Sequence, residues 1–224
     1  MEVYWLEQTE ADVPSGDDWL TSQESVRLSS MAFPKRRADW RLGRWTAKKA
    51  VHAFMPHHPF AEIEIRAHKT GRPEVWIDGR QGQVTISLSH RQGLACCALV
   101  DHRAALGCDL EYLEPHTPCF IADYFVEKEQ AWIARAMRQH RQDLPSVLWS
   151  AKESALKALG VGLREDTRSV VVQEFDASLP SPAWRPFRVW HGEREFDGWC
   201  KAQDGFVRTL IADPPAETPR MCPQ

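Results

Sequence analysis

The chain has no basic excess. Its 28 lysines and arginines are outnumbered by 31 aspartates and glutamates, for a net charge of −3 over 224 residues. A general nucleic-acid binder carries a basic surplus, so the expectation is no nucleic-acid partner. Long apolar runs are missing too. The longest, Leu94 to Val100, falls far short of a membrane span. The opening residues, Met1-Glu2-Val3-Tyr4-Trp5, have neither the basic nor the apolar region of a signal peptide. Six cysteines stand at 96, 97, 108, 119, 200 and 222 with no C-x-x-C pair, which argues against a zinc site or a disulfide framework. Reduced thiols in a cytosolic protein are the plain reading. These absences leave a soluble cytoplasmic protein with no membrane partner, long enough for one large domain or two small ones.

What is present divides into strands and amphipathic helices. The pattern predicts a strand over 1–8, helices over 17–30 and 34–55, and strands over 62–67, 74–77, 83–88, 94–100 and 104–111. Helices follow over 118–123, 127–139 and 145–159, then strands over 168–175, 186–191, 196–202 and 206–213. The stretch from Asp213 to Gln224 is proline-rich and is expected to be a flexible tail. A faint repeat runs through the chain. Trp45-Thr46-Ala47-Lys48-Lys49-Ala50-Val51 resembles Trp149-Ser150-Ala151-Lys152-Glu153-Ser154-Ala155. Upstream, the Phe33/Trp40 spacing matches that of Phe125/Trp132. Two copies of one unit explain this, and chance similarity of two amphipathic helices is the competing account.

Two segments carry the chemistry. In Gly107-Cys108-Asp109-Leu110-Glu111, strand alternation puts Asp109 and Glu111 on one face, beside a glycine open to a ligand's approach, and Cys108 on the other. In Trp149-Ser150-Ala151-Lys152-Glu153-Ser154-Ala155-Leu156-Lys157, Glu153 and Lys157 stand one helical turn apart. Three carboxylates and two lysines are enough to hold a hard divalent cation and the phosphates it bridges. Taken singly, the same residues are also an exposed strand face and a surface ion pair. On the helix over 34–55, Arg37, Arg41, Arg44 and Lys48 line one face, which is either a solvated face or a site for an anionic partner. Gly71-Arg72-Pro73 marks a turn, and Ser87-Leu88-Ser89-His90 ends a strand with a hydroxyl next to an imidazole, a good phosphate cradle.

In order and spacing these motifs resemble the 4'-phosphopantetheinyl transferase superfamily, in its larger monomeric type that serves carrier domains of peptide and polyketide synthases. That family carries G-I/L/V/C-D-x-E and, further on, W-S/T-x-K-E-A/S-x-x-K, both unbroken here; the likeness spans most of residues 30–165. The resemblance implies an α+β fold of two similar α/β halves related by a pseudo-twofold axis, with the active site between them. The halves are residues 1–103, with the basic helix, and 104–212, with the carboxylates, followed by a tail over 213–224. It implies transfer of 4'-phosphopantetheine from coenzyme A to a serine of an apo acyl or peptidyl carrier protein, with Mg²⁺, by a monomer. Asp109, Glu111 and Glu153 would hold the metal. Glu153, Lys157 and Asp109 would be catalytic, with Glu153 or a water of the metal's shell as general base. Arg44, Lys48, Arg72, Ser89, His90, Lys152 and Lys157 would meet the coenzyme's phosphates. The segment from Phe120 to Trp132 would border the carrier groove, with Trp132 in the core and Trp149 as a packing anchor. Two other readings share the carboxylates: a Mg²⁺-dependent enzyme acting on another diphosphate, and a non-catalytic paralogue that binds carrier proteins.

Overall fold

The computed structural model describes residues 1–173 and 181–223. The chain forms two compact units, one of Glu2–Ala104 with Pro219–Gln224 and the other of Ala105–Thr218 with Met1.

The first unit begins with β1 (Tyr4–Thr9), followed by α1 (Ser22–Ser29) and α2 (Pro34–Phe54). Then come β2 (Ile63–Ala67), β3 (Pro73–Ile77), β4 (Arg80–Gln81), β5 (Thr85–Arg91) and β6 (Leu94–Val100). Helix α1 is shorter than the expected 17–30. Thr21 and Glu24 form a capping box that fixes its start, and the residues before it are held in a turn, with the Leu20 amide donating to the Asp17 carbonyl. Strand β4 was not foreseen. Asp78 and Gly79 both have positive φ, 51° and 75°, the D-G hairpin turn whose geometry matches strand twist. β1 pairs antiparallel with β6, and β6 with β5. α2 lies against this sheet. Its Ala47, Ala50 and Val51, at helical spacing, pack with Ile63, Ile65, Val75, Ile86, Cys97 and Leu99.

The second unit repeats the plan. β7 (Ala105–Tyr112) leads to α3 (Pro118–Tyr124), α4 (Glu127–Arg138) and α5 (Leu144–Leu159). After β8 (Val170–Val172) come β9 (Arg185–His191), β10 (Arg194–Gln203) and β11 (Phe206–Asp213). The strand expected over 168–175 starts two residues late, after a 3₁₀ turn over Thr167–Ser169, and positions 174–175 lie outside the described residues. The sheet order is β7-β11-β10-β9-β8, all antiparallel. As in the first unit, the opening strand pairs with the last and the long helix covers the sheet. Ala151, Ala155, Leu156 and Ala158 of α5 meet Phe125, Trp132 and Ile133 on one side and Val170, Val172, Phe187 and Val189 on the other. α5 ends at Gly160, whose φ of 74° closes the helix in the left-handed conformation.

One expectation is corrected. The final stretch is not a loose tail. Its β12 (Arg220–Met221) pairs in parallel with β1 at Tyr4 and Trp5, and Cys222 is buried in the first unit's core.

Candidate active site

The site is built on β7 and α5 of the second unit. Cys108 is wholly buried, while Gly107 and Asp109 face α5. Gly107 has a different task from the one read in the sequence. A Cβ there would lie 1.9 Å from the Ser154 carbonyl oxygen and 2.5 Å from the Ala158 nitrogen. The glycine therefore admits the helix backbone, not a ligand, and this close approach sets how near Asp109 comes to the α5 side chains. Gly107→Ala should thus force strand and helix apart. We expect a loss of about 3 kcal/mol or more, at or above the upper end for overpacking, because the clashing atoms are backbone; the midpoint of urea unfolding measures it.

Asp109 is 1% exposed, and its Oδ1 accepts a 2.7 Å hydrogen bond from the Lys157 ammonium. Lys157 also donates to the Cys108 carbonyl at 3.1 Å and stands 3.7 Å from Glu153 Oε2. Burial works against the Lys157 charge, but Asp109 and Glu153 outweigh it and hold its proton above the ordinary lysine range. The carboxyl of Glu153 is pushed up to about 7, first by burial, then by the charge of Asp109, with Lys157 opposing and Glu111 adding to the rise. Asp109 and Glu111 both act against the ionisation of Glu153, and three carboxylates suit a hard divalent cation, which would relieve that repulsion. The end of β7 is fixed from α5 as well. Ser146 Oγ accepts from the Glu114 amide at 3.3 Å and lies 2.9 Å from His116 Nε2, a contact with no sequence signal.

Lys152 is placed elsewhere. Its side chain is wholly buried, 2.8 Å from Glu129 Oε2, and its ammonium donates to the carbonyls of Thr167 at 3.1 Å and Val170 at 2.5 Å. Glu129 Oε1 in turn accepts from the Val172 amide at 2.7 Å, and Oε2 from the Val126 amide at 3.1 Å. The first unit contains the same network. Lys48, also wholly buried, is 2.5 Å from Glu24 Oε2 and donates to the carbonyls of Trp19 and Phe60 at 2.9 and 3.0 Å. Glu24 accepts from the Ile65 and Thr21 amides, both at 3.1 Å. Each pair joins a short helix, a long helix and the strand that follows. Burial pulls both lysines' pKa values down, and the paired glutamates oppose that. This corrects the sequence reading of both lysines, since their ammonium groups are enclosed by the core and spent on it. It supports the alignment of Lys48 with Lys152 in the repeat but corrects the upstream match. The equivalent residues are Glu24 and Glu129, on α1 and α4. Phe33 is 70% exposed whereas Phe125 is fully buried, so the Phe–Trp spacing was coincidental. Glu24 carries no sequence reading, although its Thr21-x-x-Glu24 capping signature is there to be read, and Glu129 is read from sequence only as part of the segment bordering the carrier groove.

The rest of the basic face is also engaged. Arg37 donates to the Leu28 carbonyl, and Arg41 to the carbonyls of Pro14, Ser15 and Gly16, with Asp17 at 3.2 Å. Arg44 stacks on Trp40 at 4.9 Å and lies 3.7 Å from Glu24. The stripe ties the segment before α2 to the helix. Arg72 is exposed in the β2–β3 turn, and Ser89 and His90 close β5 opposite Cys96 and Ala95. Phe120, Tyr124 and Trp149 form an aromatic cluster with centroids 4.9–5.2 Å apart. Trp149 is thus a packing anchor, Trp132 is core, and Tyr124 remains 38% exposed. Among the described residues no helix is long and apolar enough to cross a membrane.

Residues 105–210 match the model of the 4'-phosphopantetheinyl transferase superfamily. Among curated proteins, the chain is similar to the 4'-phosphopantetheinyl transferase HetI of Nostoc sp., 26% identical over 184 residues, or 80% of this chain and 77% of the relative. It is similar to the 4'-phosphopantetheinyl transferase gsp of Aneurinibacillus migulanus, 27% identical over 105 residues, covering 47% and 41% of the two chains. A holo-acyl-carrier-protein synthase of Streptococcus agalactiae is 29% identical over 85 residues, covering 36% of this chain and 71% of that one.

Proposed function

The chain belongs to the 4'-phosphopantetheinyl transferase superfamily, and on that premise we propose that it moves 4'-phosphopantetheine from coenzyme A to a serine of an apo acyl or peptidyl carrier protein. The observation that carries the reading is the Lys157 ammonium placed 2.7 Å from Asp109 and 3.7 Å from Glu153, with the charge of Glu111 felt at Glu153. In this reading the three carboxylates hold Mg²⁺, which supplies charge neutralisation at the coenzyme's diphosphate. The carrier's serine oxygen bonds to the phosphorus on the pantetheine side. The bond from that phosphorus to the bridging oxygen breaks, and adenosine 3',5'-bisphosphate leaves with the electron pair. Glu153 takes the serine proton. Lys157, kept charged by its neighbours, offsets the negative charge of the leaving group. Arg44, Arg72, Ser89 and His90 are our proposed contacts for the coenzyme's phosphates, and the Phe120–Tyr124 surface is the proposed border of the carrier site.

Incubation with coenzyme A, Mg²⁺ and a panel of apo-carrier proteins, read by intact mass, tests the reading. Carrier mass rising by one phosphopantetheine supports it. No carrier modified, with coenzyme A bound, would favour the paralogue that binds without turnover; turnover of a different diphosphate alone would favour the other enzyme. The raised Glu153 pKa gives a second test. A cation competes with that proton, so Mg²⁺ affinity measured by calorimetry should fall up to about tenfold per pH unit below pH ~7 and level off above it. In the metal-free protein the same shift favours folding most below pH ~4.5, and that contribution is lost as the pH rises through about 7.

A further inference from the structure

Val207, Thr209 and Ile211 alternate onto one face of β11, and all three are wholly buried. A hydroxyl between two aliphatic neighbours costs free energy unless it is paired. Thr209 is paired twice, both times with Ser150 of α5, which is itself wholly buried. Its Oγ1 donates to the Ser150 carbonyl at 2.8 Å. With that proton committed, Ser150 Oγ donates back to Thr209 Oγ1, also at 2.8 Å. Packing alone calls for neither hydroxyl. Valine has the shape of threonine, alanine takes less room than serine, and an apolar pair of matching shape is nearly as stable as a bonded polar one. The hydroxyls add direction. Apolar contacts are non-directional, whereas a hydrogen bond to a backbone carbonyl holds one position.

That position bears on the carboxylates. Thr209 is the register partner of Asp109 in the β7–β11 ladder. Ser150 precedes Glu153 by three residues and Lys157 by seven, on the same helix. The contact at Gly107 sets how closely α5 approaches β7; the Thr209 pair sets where along its axis the helix sits. A slide of one residue moves the α5 side chains by about 1.5 Å, which breaks a bond as short as that from Lys157 to Asp109. We propose that Thr209 is a positioning residue of the carboxylate site, fixing through Ser150 the place of Glu153 and Lys157 against Asp109. This rests on the transferase reading, with its Mg²⁺ site, and deepens it.

Mg²⁺ calorimetry and the denaturant midpoint, measured on the wild-type chain, Thr209→Val, Thr209→Ser and the double variant Ser150→Ala/Thr209→Val, test this. The two readouts should part company. The double variant replaces both hydroxyls by apolar groups, so its midpoint should lie near the wild type's, yet it should bind Mg²⁺ about tenfold more weakly or worse. Thr209→Ser keeps the hydroxyl and loses a methyl, so its midpoint should fall while Mg²⁺ affinity stays within about twofold of wild type. Thr209→Val should lose both. If the double variant binds Mg²⁺ as the wild type does, or if Thr209→Ser loses as much affinity as Thr209→Val, the inference is overturned while the transferase reading stands. Should the double variant fail to fold, the contrast between Thr209→Val and Thr209→Ser decides alone. A wild-type chain that binds no Mg²⁺ overturns the reading of the carboxylates itself.

Discussion

Glu153→Gln is expected to lower the rate of phosphopantetheine transfer by about two to four orders of magnitude, the range that positioned acid–base groups contribute. The substitution preserves size and one ligand oxygen while removing the proton acceptor. It also removes the charge that Asp109 and Glu111 oppose, so the fold should not suffer. Coenzyme A affinity in Mg²⁺ should change much less than the rate. The informative measurement is single-turnover transfer across a Mg²⁺ titration. A rate that stays low at saturating Mg²⁺ marks Glu153 as the base. A rate fully restored by excess Mg²⁺ makes it a metal ligand only. A variant as fast as wild type at ordinary Mg²⁺ would reduce Glu153 and Lys157 to an ion pair and remove the centre from the mechanism.

Lys152→Met is expected to cost about 3–5 kcal/mol of stability, because it strands the Glu129 carboxylate in the core. Glu129→Ala should cost a similar amount by stranding the ammonium. Changing both partners to apolar residues of similar volume should recover much of the loss, since burying a charge pair is itself expensive. Denaturant midpoints of the two single variants and the double variant test this. The contrast with a phosphate-binding role is sharp. A ligand lysine could be replaced with little change in midpoint but with weaker coenzyme A binding. A normal midpoint for Lys152→Met would return Lys152 to the candidate ligands.

The elements were largely legible because their signals are local. Leu94–Val100 is a continuous apolar run that became a strand over those same residues, and Pro34 and Pro56 bracket α2. The Glu153–Lys157 pair was legible because one-turn spacing is a period argument. What failed were inferences about direction. Lys48 and Lys152 sit in a polar-looking pattern, and only the carbonyls and glutamates brought by distant segments draw them inward. Gly107 suggested access to a ligand, yet the atoms that demand a glycine there belong to Ser154 and Ala158, nearly fifty residues on. The closing stretch looked loose because its prolines are visible in sequence while its partner, β1, lies at the other end of the chain.

That last pairing bears on how the protein is made. A ribosome releases residues in order, so α2 and the strands around it emerge early, but β12, which completes their sheet, comes only after every element of the second unit. Until then the free edge of β1 offers unpaired amides and carbonyls to any neighbouring extended chain, and the space beside Ala50 that Cys222 fills stays open. The first unit is thus completed only after the second has been made.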